Sequence, residues 1–231
     1  MMVTKADDTG VFTTEDVLLS LCQSVTGVLS AATMSEVRFS GMVQRISKTC
    51  LKPDIGCFVL FDGGFSGLVV INFSAAAAME LYQSYMVSMG LPKEELAISH
   101  TADEVSNVMG ELMNQIVGHF TVKVGRELQT RITQNQPKML ALNKQVMLSV
   151  DTNLDHPESR RVTFFTAGNN IFYLELAMDK TEFIRLPHPQ RGLQGTAYDT
   201  PLARSGSDTT GNQPVPVVTH EHDDLLASLG I

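Results

Sequence analysis

The chain has 231 residues, carries a formal net charge of −8 and is 43% hydrophobic. This length allows one domain of about 190 residues with a tail, or two small domains. The negative charge argues against a nucleic-acid surface, which normally needs a basic patch. No apolar run reaches about 18 residues and the first residues lack an apolar signal-peptide centre, so we expect neither a membrane span nor a signal peptide. The three cysteines, Cys22, Cys50 and Cys57, lack metal-ligand spacing, which favours a reduced, cytoplasmic chain.

The first half of the chain predicts a helix, three strands and a second helix. Apolar residues recur at helical spacing from Thr14 to about Ala32. The stretch "DGGF" is a hairpin signal between the second and third strands. "AAAAMELYQSYMVSM" predicts the second helix, closed by Gly90 and Pro92. The predicted strands are Glu36–Ser47, Ile55–Phe61 and Ser66–Phe73.

The second half begins with the longest predicted helix, which starts near Thr101. "TADE" has the form of a capping box in which Thr101 caps the first turn and Glu104 reaches back. Three more strands follow, and "AGNN" is the turn between the last two. These strands are predicted at Lys144–Asp151, Arg160–Thr166 and Asn170–Met178.

A helix followed by three strands therefore occurs twice. This order indicates an internal duplication; the alternative is a chance repetition of common secondary-structure elements. Two such units would form an α+β fold of two layers, a six-stranded antiparallel sheet packed by helices. After Pro187 the sequence is rich in Gly, Pro, Ser and Thr and has no periodicity, which is typical of a linker. The predicted organisation is a flexible N-terminus (1–13), a folded domain (14–187), a disordered linker (188–219) and a terminal peptide (220–231).

The central helix carries a polar stripe opposite its apolar face. Asn107, Glu111, Asn114 and Gly118 step by four, three and four residues, so they line up on one side of a helix. A carboxylate and an amide three residues apart can reach together into a partner's pocket, and Gly118 would allow close approach. The alternative is an ordinary solvated helix face.

This stretch resembles the CheC/CheX type of chemotaxis phosphatase. The signature of that family is Asp or Ser, three residues, Glu, two residues, Asn, twenty-two residues and Pro. Glu111 and Asn114 match it, and Pro137 follows Asn114 after twenty-two intervening residues. Asn107 departs from it, because the family has Asp or Ser there. The resemblance covers roughly Thr14–Met178.

The resemblance implies a phosphatase that stimulates hydrolysis of the phospho-aspartate on a CheY-like response regulator. Asn114 would orient the attacking water, and Glu111 would pair with the lysine of the receiver. The protein would need no cofactor of its own, because the partner receiver domain supplies Mg²⁺. Aligning the first helix with the central one places Ser20 and Gln23 where Glu111 and Asn114 sit. Since Ser20 has no carboxylate, one active site is expected, as in CheX-like members.

The terminal stretch "DDLLASLGI" is similar to the C-terminal segment of CheZ, a helical chemotaxis phosphatase whose end binds CheY. Acidic residues suit the first turn of a helix and Gly230 suits its end. So short a helix would form only against a partner's groove; otherwise the segment is a frayed terminus. The predicted contact residues are Asp223, Asp224, Leu225, Leu226, Leu229 and Ile231.

Other readings of the sequence remain open. The same fold resembles flagellar switch proteins, so the chain could be a scaffold that binds a receiver without hydrolysing anything. A homodimer is also open, since CheX-like proteins can dimerise through sheet edges. We expect no metal site: "DTNLD" at Asp151–Asp155 lacks the glycine and glutamate of a calcium loop, and His220 and His222 lie in the tail.

Overall fold

The computed structural model describes residues 11–142, 144–150, 153–154 and 156–184. The predicted linker (188–219) and terminal peptide (220–231) lie outside these residues, as does most of the predicted N-terminus (1–13). Residues Val11–Thr13, assigned to that N-terminus from the sequence, form a short strand paired with Glu182–Ile184.

Three helices and eleven strands make up the described part of the chain. The helices are α1 (Thr14–Thr33), α2 (Ala75–Ser88) and α3 (Asp103–Glu127), with a short 3₁₀ turn at Lys93–Glu95 between the last two. The strands are β1 (Val11–Thr13), β2 (Arg38–Ile46), β3 (Thr49–Leu51), β4 (Ile55–Gly63), β5 (Gly67–Phe73), β6 (Ile132–Gln134), β7 (Lys138–Ala141), β8 (Leu148–Val150), β9 (Pro157–Phe165), β10 (Ile171–Asp179) and β11 (Glu182–Ile184).

The main sheet is antiparallel, with the order β2-β9-β10-β5-β4 and with both β6 and β7 on the outer edge of β4. β6 pairs with one end of β4 and β7 with the other, so the two segments act as one broken edge strand. The break contains Asn135, Gln136 and Pro137. Counting β6 and β7 together, the sheet has six strand positions, and the predicted α+β fold with a multi-strand antiparallel sheet is confirmed.

The sheet shows an exchange of strands between the two sequence units. The hairpins β4–β5 and β9–β10 meet at the centre through β5 and β10, in a register that places Ile71 opposite Leu174. The first strand of each unit crosses to the hairpin of the other unit: β2 pairs with β9, while β6 and β7 pair with β4. Neither unit is a complete sheet by itself, so the two halves interlock.

The predicted strand Lys144–Asp151 is corrected by the structure. Within the described part of that range, 144–150, the one strand is β8 (Leu148–Val150), and it pairs with β3 in a small separate sheet. Its place in the main sheet is taken by β6 and β7, which the sequence did not reveal. β6 and β7 show no regular alternation of apolar and polar residues, because they lie at the edge of the sheet and a proline interrupts the segment between them.

The predicted capping box at Thr101 is also wrong. Helix α3 begins at Asp103 with Ala102 at the N-cap. The hydroxyl of Thr101 instead lies 2.8 Å from that of Ser99, so the two side chains hydrogen-bond within the preceding loop. A local side-chain bond of this kind competes with capping.

The core lies between the helices and one face of the sheet, and α1 is part of it. Helix α1 is long and apolar enough to span a membrane. Its residues Val17, Leu21, Val25 and Leu29 are nevertheless fully buried against the sheet and α3, so we assign it as a core helix. Cys22 of α1 is 2% exposed, and burial raises the pKa of its thiol to about 12, which keeps it protonated.

Candidate functional site

The polar stripe of α3 faces outward. Its apolar face buries Val105, Met109, Leu112, Ile116 and Phe120, each 0–1% exposed, because these residues recur at helical spacing over the sheet. The opposite side leaves Asn107, Glu111 and Asn114 exposed. The helix is therefore held rigidly by its core side while it presents a carboxylate and an amide one turn apart.

The carboxylate of Glu111 contacts a neutral amide and, in the part of the chain that the structure describes, no cation. Its Oε1 accepts a hydrogen bond from Gln115 Nε2 at 3.0 Å, one turn further along α3. Within residues 11–142 and the shorter described ranges, no ion pair involves Glu111. Its negative charge is thus available to a cation brought by a partner.

The amide of Asn114 is held on one side and open on the other. Its Oδ1 accepts a hydrogen bond from Gln134 Nε2 at 2.9 Å, and Gln134 lies at the end of β6. Nδ2 of Asn114 makes no hydrogen bond within the described part of the chain. The amide therefore offers two N–H donors and one remaining lone pair on its oxygen.

The supporting residues predicted from the sequence occupy different positions. Asn107 lies on the same face as Glu111, one turn before it. A side chain added at Gly118 would meet nothing within 4 Å, so the surface beside Asn114 is open there. Pro137 is not on the helix; it is half-buried in the break between β6 and β7, three residues after Gln134.

Two features on the flanks of the stripe were missed by the sequence analysis. Gln134 could not be found, because its strand was not predicted. On the other flank, His119 Nδ1 lies 2.9 Å from Ser24 Oγ, and Ser24 donates to the backbone oxygen of Ser20 at 2.9 Å. Through these contacts Ser24 joins α3 to α1. Because its side chain is fully buried, it is not accessible as a nucleophile.

The corresponding positions on α1 do not form a second exposed pair. Ser20 is 6% exposed, whereas its counterpart Glu111 faces solvent. Gln23 is exposed, but its Oε1 accepts a hydrogen bond from Lys123 of α3. Among the described residues, no group of three or more His, Cys, Asp and Glu side chains is arranged to hold a metal ion.

The sheet and the helices define a class of fold, and comparison with solved structures shows that this fold matches that of CheC/CheX-like proteins. CheX of Desulfovibrio desulfuricans matches with a TM-score of 0.57 at 15% identity over 71% of this chain and 99% of that chain. A CheC-like superfamily protein of a Shewanella species matches with a TM-score of 0.58 at 16% identity over 71% and 97%. The CheX–CheY–BeF3–Mg²⁺ complex of Borrelia burgdorferi matches with a TM-score of 0.54 at 14% identity over 71% and 99%.

The sequence itself assigns the chain to a family. Residues 8–231 match the family described as Protein of unknown function (DUF3334), and the chain belongs to it. No curated protein matches the chain significantly. The match includes residues 185–231 as well as the part of the chain that the structure describes.

Proposed function

We propose that the protein stimulates hydrolysis of the phospho-aspartate on a CheY-like response regulator. The observation that carries the proposal is the joint exposure of Glu111 and Asn114 on one helix, with the Asn114 amide nitrogen making no hydrogen bond to any described residue. The likeness to CheX and to a CheX–CheY complex supports it. Chemotaxis or a related two-component pathway in the cytoplasm would be the setting.

The chemistry requires little more than positioning. An aspartyl phosphate is an acyl phosphate, and its hydrolysis needs a water in line with phosphorus and stabilisation of the departing phosphoryl charge. The receiver would supply Mg²⁺ and a lysine. Asn114 would orient the water without taking its proton, the task that a Gln performs in GTPases.

Glu111 would place the helix. Because Glu111 has no cation partner among the described residues, its carboxylate can pair with the lysine of the receiver. This pair would fix the depth and direction at which α3 enters the pocket. Gln115 orients that carboxylate through the hydrogen bond on α3. Glu111 is not assigned as a base, because water attacking an acyl phosphate needs orientation more than deprotonation.

The terminal peptide would provide affinity. Asp223, Asp224, Leu225, Leu226, Leu229 and Ile231 would bind the receiver as a short amphipathic helix, with the linker 188–219 joining it to the domain. Binding energy and catalysis would then lie in separate parts of the chain.

Phosphate release from a phosphorylated CheY-like receiver with Mg²⁺ tests the proposal. We expect the wild-type chain to accelerate release and Asn114→Ala to abolish the acceleration, because the water loses its orienting amide, while complex formation persists. Gln136→Ala is the matched control, since Gln136 is an exposed amide outside the stripe.

Two results would contradict this function. Acceleration by Asn114→Ala equal to that of the wild type would remove the mechanism. Tight binding of the receiver by the wild-type chain without any acceleration would favour the scaffold reading instead.

A further inference from the structure

We propose that Gln134 is a positioning residue that sets the direction of the Asn114 amide, an inference that rests on the proposed function. Gln134 lies outside the signature residues and reaches the site from β6, on the far side of a loop from α3. Its side chain is directed at Asn114 and at no other described residue.

The backbone carbonyl of Asn114 fixes the orientation of the side-chain amides of both Gln134 and Asn114. Gln134 Nε2 lies 2.9 Å from Asn114 Oδ1 and 3.4 Å from the backbone oxygen of Asn114. A backbone carbonyl can only accept, so the nitrogen of Gln134 must face it. Because that nitrogen is a donor, the Asn114 side-chain atom that faces it must be the acceptor oxygen, Oδ1. Nδ2 of Asn114 is therefore directed away from β6.

Gln134 is itself held in place by the edge of the sheet. It pairs with Phe61 at the end of β6. The next residue, Asn135, donates its backbone N–H to the Leu60 oxygen at 3.1 Å and accepts the Leu60 N–H on Oδ1 at 2.9 Å. These bonds clamp the backbone directly behind Gln134, so its amide has a defined position under α3.

The other end of the Gln134 amide carries a cost in stability. Its Oε1 is buried and has no hydrogen-bond partner in the part of the chain that the structure describes. A buried carbonyl without a partner destabilises a fold, and an apolar residue of the same shape would avoid that penalty. What the glutamine provides is the pair of bonds to Asn114.

The consequence for the reaction is a preorganised donor and acceptor. One lone pair of Asn114 Oδ1 accepts the hydrogen bond from Gln134. The other lone pair remains for a proton of the attacking water, and the two N–H groups of Nδ2 remain for a phosphoryl oxygen. The terminal torsion of an asparagine is broad and nearly two-fold, so an unheld amide would also present the reversed arrangement. Holding it removes that unproductive orientation before the receiver arrives.

The test compares Gln134→Met with Gln136→Met, a matched change on an exposed residue of the same segment. Gln134→Met should lower the maximal rate of phosphate release roughly 10- to 100-fold. The receiver concentration for half-maximal rate should stay unchanged, and the melting temperature should be equal or higher. Gln134→Glu should be at least as impaired, because its carboxylate attracts Nδ2 and reverses the Asn114 amide.

The melting temperature separates positioning from general damage. Gln134→Met should lose rate without any fall in melting temperature, since its route to the reaction is through the orientation of Asn114. A wild-type rate in Gln134→Met, or a loss of rate that tracks a lowered melting temperature, would each overturn the assignment.

A readout independent of catalysis distinguishes this inference from the proposed function. In the wild-type chain, nuclear magnetic resonance relaxation of the Asn114 side-chain NH₂ group should show a held amide, and Gln134→Met should release it. Equal mobility in the two proteins would overturn the inference even with full phosphatase activity. A held amide in a chain that releases no phosphate would refute the function and leave the positioning intact.

Discussion

Gly118 is the position where the polar stripe of α3 has no side chain. Glycine in a helix interior is less stable than alanine by roughly 0.5–1 kcal/mol. Among the described residues, an added Cβ would meet no atom within 4 Å, so internal packing does not require a glycine there. In the proposed function, the missing side chain would let the receiver approach the helix closely beside Asn114.

Gly118→Ala should therefore separate stability from function. We expect the free energy of unfolding to rise by roughly 0.5–1 kcal/mol, measured by urea denaturation. We also expect the receiver concentration for half-maximal phosphate release to rise several-fold, because the methyl group keeps the receiver's pocket from seating on α3.

Gly27 provides the matched control for this substitution. It lies in α1, is exposed, and an added Cβ there would likewise meet nothing within 4 Å. Gly27→Ala should give a similar gain in stability with unchanged phosphate release. Equal effects of both substitutions on the receiver dependence would show that Gly118 has no particular place in the contact.

At the level of single residues, the sequence predicted those that share one helix. Glu111 and Asn114 stand three apart, so their placement on one face of α3 follows from helical geometry alone. Gln134 could not be predicted in the same way. It meets Asn114 across 20 residues of chain, on an edge strand whose exposed pattern carries no periodic signal.

Among the elements, α2 is fastened to the β9–β10 hairpin by one carboxylate. Glu80 accepts hydrogen bonds from Thr166 Oγ1, from the backbone N–H of Gly168 at 2.7 Å and from Asn170 Nδ2 at 2.7 Å. Burial alone would raise the pKa of this carboxyl, but the hydrogen bonds from Thr166, Asn170 and Gly168 outweigh it and hold the pKa below its ordinary value.

This clamp should give the fold a pH-dependent stability. Because the pKa of Glu80 is depressed in the folded state, its stabilisation is full above the ordinary glutamate pKa of about 4.3 and is lost as pH falls through the folded value. At pH 7, Glu80→Gln should lower the unfolding free energy by on the order of 1 kcal/mol. The difference between the two proteins should shrink below about pH 4.

Denaturant melts at several pH values measure this difference. Glu94→Gln, at an exposed position in the 3₁₀ turn, is the control and should be neutral throughout. A loss in Glu80→Gln that is the same at pH 3.5 and pH 7 would mean that the charge of Glu80 does not matter to the clamp.

The elements were predictable where local signals decide them. The turns "DGGF" and "AGNN" lie in the β4–β5 and β9–β10 hairpins, and the three helices follow their apolar periodicity. Strand exchange was not predictable, because the pairing of β2 with β9 joins residues more than 100 positions apart. Such pairing is set by tertiary packing rather than by local propensity.

For the whole molecule, the fold and the tail have complementary tasks in the proposed function. The predicted linker, 188–219, has 32 residues and, as a flexible coil, would have a root-mean-square span of roughly 30 Å. This span is about the diameter of a small domain, so a receiver bound by the tail could still reach α3. Tethering of this kind gives effective concentrations up to about the millimolar range, which allows the contact at Glu111 and Asn114 to be weak.

Deleting Asp223–Ile231 should therefore change affinity and leave the chemistry intact. We expect the receiver concentration for half-maximal phosphate release to rise at least about 100-fold, with the same maximal rate at saturating receiver. A chain with the residues of 188–219 in scrambled order is the control and should resemble the wild type, because a flexible linker acts through its length. A deletion that lowered the maximal rate would place the tail in the catalytic step, whereas an unchanged concentration dependence would mean that α3 alone holds the receiver.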